Sequence, residues 1–318
     1  MAEEMPLRGG WTNAGKVVRI GDTVRRPQCP TSAATHAVLD HLERVGFPGA
    51  PRFLGVDDCG REVLSFIVGE AAIAPFAEQV LNDDALVSVA ELLRAYHEAM
   101  ASFDPTGHAW PPAVPPAFRD GTISHNDPNL DNVIFSEGRA VALVDFDLAG
   151  PGSTVWDVAC AARLWAPLRH PRDTPEQLHE RSLARLRIFV DAYGLPERDR
   201  ARVADAVLHA HEWCYAIVRS AVADGHQTFG RIWHDGGREH AERTRRWIAA
   251  HREQMRAALD TTHGEEAGEC DAGPIPSDSR LGGRGALGPV TREGEPATLR
   301  PGPADPIGSR ARLGQAGS

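Results

Sequence analysis

Over roughly the first seventy residues apolar positions alternate with polar ones, and from Glu70 onward they recur mainly at three- and four-residue steps. Val17, Val18 and Ile20, a Gly21-Asp22 pair, and then Thr23, Val24, Arg25 and Arg26 predict a hairpin closed by an Asp/Gly turn. Thr31 or Ser32 is the expected cap of a helix on which Val38, Leu39, Leu42 and Val45 share a face, with Gly46 as its stop. Residues 61–68 predict a further strand. Leu86, Val89, Leu93, Tyr96, Met100 and Phe103 mark a long amphipathic helix capped by Asn82 or Asp83, and a proline-rich link over 110–116 follows. Helical periods start again near Trp156 and run over 176–193, 197–224 and 241–259, the last with Ala241, Thr244, Ile248, His251 and Met255 on one stripe. Beyond about Asp260 the chain turns to Gly, Pro, Ser, Arg and Glu, too little apolar surface to offset the entropy of ordering. The expected division is a β-rich segment over 1–69, a helical one over 70–260 and a disordered tail over 261–318.

Residues 122–156 carry side chains that packing does not require. They read His125-x-Asp127-x-x-x-x-Asn132, then Val133, Ile134 and Phe135, a Ser-Glu-Gly turn, and an apolar run ending at Asp145-Phe146-Asp147. A turn at Glu137-Gly138 returns the second strand antiparallel to the first and brings Asp127, Asn132 and Asp145 to one end. Phosphoryl transfer from ATP uses such a set: a carboxylate to orient and deprotonate a hydroxyl, and an amide oxygen with a second carboxylate to hold magnesium against the phosphates. The competing reading is that these residues only cap loop backbone.

On His125, Asp127, Asn132 and Asp145, together with V-D-F-D and the following G-P-G-S-T-V-W-D-V-A, the chain resembles the aminoglycoside phosphotransferase and choline kinase-like family of small-molecule kinases. The resemblance implies an α+β, bilobal, protein kinase-like fold with a small β-rich N-terminal lobe and a larger helical C-terminal lobe. It implies Asp127 as catalytic base, His125 as a brace of the loop, and Asn132 and Asp145 as ligands of Mg2+. In such an arrangement Ser65, Phe66 and Ile67 belong to the hinge whose backbone pairs with adenine, and Asp157 bonds loop backbone. Protein kinases themselves fit less well, since Asp147 stands where their activation segment carries Gly and no A-P-E element follows. The N-terminal lobe departs further. A kinase places Lys on its third strand and Glu on the helix behind it, whereas this strand offers Arg25 or Arg26, the helix offers Thr35 or His36, and Lys16 lies one strand early. Strand residues alternate faces, so one of the two arginines can face phosphates, and Arg25 is the one expected to do so. Gly9 and Gly10, with Asn13 and Gly15, are the candidate phosphate-covering loop.

Composition narrows the function without naming the acceptor. The 318 residues, 42% hydrophobic and 25% charged, have room for two lobes. Met1 is followed by no basic and apolar leader, and no run reaches the roughly 20 apolar residues of a membrane span, so a cytoplasmic protein without a membrane partner is expected. Five scattered cysteines show neither a disulfide framework nor zinc-ligand spacing. His209 and His211 stand two apart, on different faces of a helix, which argues against a metal pair. The net charge is −10, and residues 70–160 hold 14 acids against 3 bases, which disfavours nucleic acid as a partner. The same excess suits a cationic acceptor or, equally, a solvated helix face. The expected protein is thus an ATP- or GTP-dependent, Mg2+-requiring phosphotransferase acting on a hydroxyl of a small molecule, an aminoglycoside or another cationic compound among the candidates. A kinase-like nucleotide-binding protein without turnover is the alternative, motivated by the missing Lys and Glu.

Overall fold

The computed structural model describes residues 3–7, 15–74 and 76–260; the expectations for Gly9, Gly10, Asn13 and the 261–318 tail lie outside the described residues. Strands β1 (Met5–Pro6), β2 (Val18–Ile20), β3 (Thr23–Pro27), β4 (Phe53–Val56) and β5 (Arg61–Ser65) form an antiparallel sheet in the order β1-β2-β3-β5-β4. The hairpin closes as its Asp/Gly turn predicts, with Ile20 opposite Thr23. Helix α1 (Ser32–Arg44) lies in the chain between β3 and β4 and buries Val38, Leu39 and Leu42. It starts without a side-chain cap, because the Ser32 hydroxyl accepts from the Cys29 N–H at 2.8 Å instead.

Strand β5 stops three residues short of the predicted end. The Phe66 N–H turns back to the Asp22 carbonyl at 2.9 Å, and Gly69 adopts a φ of +145°, where a Cβ would strike the Phe135 carbonyl. The chain then enters β6 (Glu70–Ala71), which pairs with the hairpin of β8 (Val133–Ser136) and β9 (Arg139–Leu143). Glu137 and Gly138, both at positive φ, make the turn of that hairpin. Two further short strands, β7 (Thr122–Ser124) and β10 (Gly150–Gly152), pair antiparallel and flank the candidate motif on either side.

The rest is helical: α2 (Glu78–Leu81), α3 (Asp83–Met100), α4 (Thr154–Trp165), α5 (Ser182–Tyr193), α6 (Glu197–Ala223), α7 (Gln227–Ile232), α8 (Arg238–Ala250) and α9 (Arg252–Leu259). Asn82 caps α3 by accepting from Ala85 N at 2.7 Å, and Ser153 caps α4 by accepting from Trp156 N at 3.2 Å. Every residue of α4 after Thr154 is buried, so this helix is the centre of the core and not an amphipathic surface element. Leu86, Val89 and Leu93 of α3, Phe189 of α5 and Val207 of α6 belong to the same core, each such side chain contributing roughly 1.5–3 kcal/mol on full burial. The buried Arg185 guanidinium is satisfied across three elements, by Trp165 O, Leu81 O and Asp83. The continuous helix predicted over 241–259 is two helices broken at His251, whose Nδ1 bonds the Trp247 carbonyl at 2.8 Å, and the first of them begins earlier, at Arg238. Among the described residues no helix is long and apolar enough to cross a membrane.

Candidate active site

Strand β7 delivers the chain to His125, and the backbone turns at Asn126, where φ is +65°. Asp157, in the first turn of α4 and fully buried, accepts from the N–H groups of His125 at 2.7 Å and Asn126 at 2.8 Å. His97 of α3 donates to the same carboxylate at 2.9 Å, and the Tyr193 hydroxyl lies 2.7 Å from the other ring nitrogen of His97. The two loop N–H groups are thus partners of the Asp157 carboxylate, rather than the electrostatics of the helix N-terminus alone. Asn126 is held in turn, donating to Leu148 O at 2.7 Å and accepting from Trp156 Nε1 at 2.9 Å, while Trp165 Nε1 donates to Pro128 O at 3.0 Å. The buried His125 donates from Nε2 to Val144 O at 3.1 Å, tying the loop to the residue before Asp145. Burial lowers its pKa, outweighing the nearby Asp157 and Asp145 carboxylates, so the imidazole is neutral.

The hairpin brings the three predicted oxygen-bearing residues together. Asp127 accepts from the amides of Asn129 and Asn132, the latter at 3.0 Å, and Asn132 Nδ2 also donates to the Asp127 carbonyl at 2.9 Å. That amide nitrogen is thus committed to Asp127. Asp145 follows directly after Val144, whose N–H bonds Asn132 O at 2.9 Å, and it adopts a left-handed conformation at φ 64° and ψ 67°. Burial, reinforced by Asp145 and Asp131, holds Asp127 well above the usual carboxylate range. Burial and then Asp145 likewise push Asp147 up to about 7, against the opposing influence of Arg26.

A cleft of about 280 Å³ opens beside these residues. Val17, Val24 and Leu64 of the five-stranded region and Ile134 and Val144 of the hairpin make it apolar, and Arg26, Asn132 and Asp145 make its polar end. Ser65, Phe66 and Ile67 all line it. Ser65 N–H is spent on Arg52 O and Phe66 N–H on Asp22 O, both at 2.9 Å, whereas the Ile67 N–H has no partner among the described residues.

The expectation for Arg25 is corrected by the register of β3 against β5. Arg25 stands opposite Val63 and its side chain pairs with Asp57 at 3.6 Å, away from the cleft. Arg26 stands opposite Glu62 and faces the cleft, with Nη1 2.9 Å from Asp145, Nη2 2.7 Å from Asp147 and Nε ion-paired with Glu62. The helix residues proposed for the missing Glu contribute otherwise. Thr35 donates to Phe146 O at 3.3 Å, and His36 lies 2.7 Å from Glu62. Sequence reasoning missed Glu62; the available signal was an acid two residues before Leu64, on the face of β5 that turns inward.

The acidic excess of residues 70–160 is dispersed. Asp83 pairs with Arg181 and Arg185, Glu91 with Arg139, Glu98 with Arg94, and Asp157 is consumed by the loop. Asp127, Asp131, Asp145 and Asp147 remain around the site. His211 is committed to Ala241 O at 2.9 Å and takes no part.

Comparison with known proteins follows the same residues. The family model described as the phosphotransferase enzyme family matches residues 106–205, which include the whole 122–156 motif. A trifolitoxin immunity protein of Rhizobium leguminosarum bv. trifolii is 30% identical over 271 residues, covering 81% of this chain and 100% of the relative. A choline/ethanolamine kinase family protein of Mesorhizobium loti superposes with a TM-score of 0.54 at 17% identity, over 81% of this chain and 92% of that one. The GDP complex of aminoglycoside 2'-phosphotransferase-IIIa gives a TM-score of 0.47 at 12% identity, over 81% and 92% of the two chains. With a relative matched over its entire length and the family model spanning the 122–156 motif, this chain belongs to the phosphotransferase enzyme family and has its bilobal, α+β, protein kinase-like fold.

Proposed function

We propose that the protein transfers the γ-phosphoryl group of ATP or GTP to a hydroxyl of a small molecule. The observation that carries this reading is Asp127, held by two amide donors, one of them Asn132, which with Asp145 lines the polar end of an apolar cleft. Asp127 takes the hydroxyl proton as the acceptor oxygen bonds to the γ-phosphorus; the bond from that phosphorus to the bridging oxygen breaks, and its electron pair leaves on the nucleoside diphosphate. The raised pKa of Asp127 suits a base that must receive a proton. His125, neutral and bonded to Val144 O, holds the loop against the strand that carries Asp145.

The residues fit magnesium. Among the described residues no cage of three or more His, Cys, Asp and Glu exists, and Mg2+ characteristically takes one or two protein oxygens and completes its shell with phosphates and water. The oxygen of Asn132 and the carboxylate of Asp145 would be those ligands. The ion would neutralise the charge that develops on the phosphates. Arg26 supplies the phosphate-binding cation, and the unpaired Ile67 N–H is the hinge donor to the purine, with Ser65 and Phe66 shaping the wall. The four carboxylates around the site favour a cationic acceptor, aminoglycosides and other amines included. The name of the Rhizobium relative, an immunity protein, supports a toxic compound as that acceptor.

The test is nucleotide consumption by the purified protein across a panel of hydroxylated amines, neutral alcohols and anionic alcohols, with mass spectrometry for a phosphate adduct. A phosphorylated product that disappears in Asp127→Ala is the expected result. Tight nucleotide binding without turnover on any acceptor would instead favour a nucleotide-binding protein, a reading supported by the position of Arg26 on Asp145.

A further inference from the structure

We infer that Glu62, on a strand, is the positioning residue for Arg26, doing from within the sheet what a helix-borne acid would otherwise do. The inference rests on the phosphotransferase reading. Arg26 and Glu62 are directly opposed in the β3 and β5 ladder, so the register of two hydrogen-bonded strands builds the pair. Both oxygens of Glu62 are engaged, Oε1 by Arg26 Nε and Oε2 by His36 Nε2 at 2.7 Å, and only 1% of the side chain is exposed. His36 is itself fixed by stacking on the Phe53 ring at 3.6 Å and 12°.

The consequence is directional. Glu62 holds the Nε side of the planar guanidinium as an ion pair, while Nη1 and Nη2 are aimed together at Asp145 and Asp147. When phosphates and a magnesium ion claim the Nη groups and Asp145, Glu62 is the carboxylate that stays with the cation and keeps its charge compensated in a buried setting. An acid on α1 would hold Arg26 only while the helix stays docked. Glu62 needs only the sheet, so the cation is aimed whatever the helix does. The absence of an acid at Thr35 and His36 is therefore no defect in the site; His36 serves Glu62 instead of replacing it.

Calorimetry with the full chain, Mg2+ and a non-hydrolysable ATP or GTP analogue, set against the matching nucleoside, tests this. Glu62→Gln is expected to weaken the analogue by about tenfold, the scale of a charge-assisted contact, and to leave the nucleoside within about twofold. Arg26→Gln should weaken the analogue at least as much, and the double variant no further, because Glu62 acts through Arg26. Should Glu62→Gln fail to fold, His36→Ala loosens the same carboxylate and is expected to weaken the analogue about threefold with the nucleoside again unchanged. Equal losses for analogue and nucleoside, additive losses in the double variant, or no loss in the Glu62 and His36 variants overturn the assignment. A parental protein that binds neither analogue sinks the phosphotransferase reading itself, a result distinct from all of these.

Discussion

Two buried charged side chains, Asp157 behind the loop and Arg26 at the cleft, are used in opposite ways. Asp157 is surrounded by donors that do not change partners: two backbone N–H groups of the loop and His97. Arg26 is surrounded by three carboxylates, two of which, Asp145 and Asp147, are a quarter to a third exposed. The first arrangement fixes a backbone and has nothing to exchange. On the proposed reading the second holds groups that part when a nucleotide enters, while the Glu62 contact stays in place. Rigidity is thus concentrated behind Asp127, and exchangeable charge around Arg26.

The comparison is broken most severely at Asp157. Asp157→Ala leaves two buried N–H groups and His97 without their acceptor, and removal of one partner from a buried charged network costs about 3–5 kcal/mol. Urea denaturation should show that loss, and an unchanged midpoint would mean that the loop is held by Asn126, Trp156 and Trp165 alone. Asp127→Ala attacks chemistry instead. It should lower kcat by about 10²-fold or more with the fold and nucleotide affinity intact, the scale of losing a general base. Parental turnover in that variant would remove Asp127 from the mechanism.

A carboxylate far from the site sharpens the static half of the comparison. The Asp173 side chain is almost wholly buried, and although burial raises its pKa, two hydrogen bonds from Arg243 at 2.6 Å, with His240 3.6 Å away, hold it well below the usual range. A depressed folded pKa contributes stability that is present above the unfolded value and lost as pH falls through the folded one. Asp173→Asn should therefore destabilise by about 2 kcal/mol at neutral pH, with the gap to the parent closing below about pH 4. A gap that persists in acid would show that the effect is one of packing. The smallest expected effect separates neighbours on β3: Arg26→Ala should raise the nucleotide KM about tenfold while Arg25→Ala stays near neutral, the cost of one charge-assisted contact against none. Equal effects would mean that both faces of the strand reach the phosphates.

Much of the site was legible because its partners are close in sequence. His125, Asp127, Asn132 and Asp145 lie within one loop and one hairpin, and a hairpin with its turn at Glu137 and Gly138 has a single way to return. That Ser65, Phe66 and Ile67 would line one cleft was legible, and their backbone bonding was not, since the use of the Phe66 N–H by Asp22 depends on where β5 leaves the sheet. The helical region was readable in its periods, yet the break at His251 was hidden because an apolar stripe runs through it unchanged.

Sequence by itself determined the element types, the α+β order and the convergence of the catalytic motif, because period, turn residues and short loop closure are local properties. Tertiary structure alone decided which arginine faces the cleft and which acid aims it. Both depend on the offset between β3 and β5, and a shift of one residue in that offset would exchange Arg25 for Arg26 and carry Glu62 to the other face.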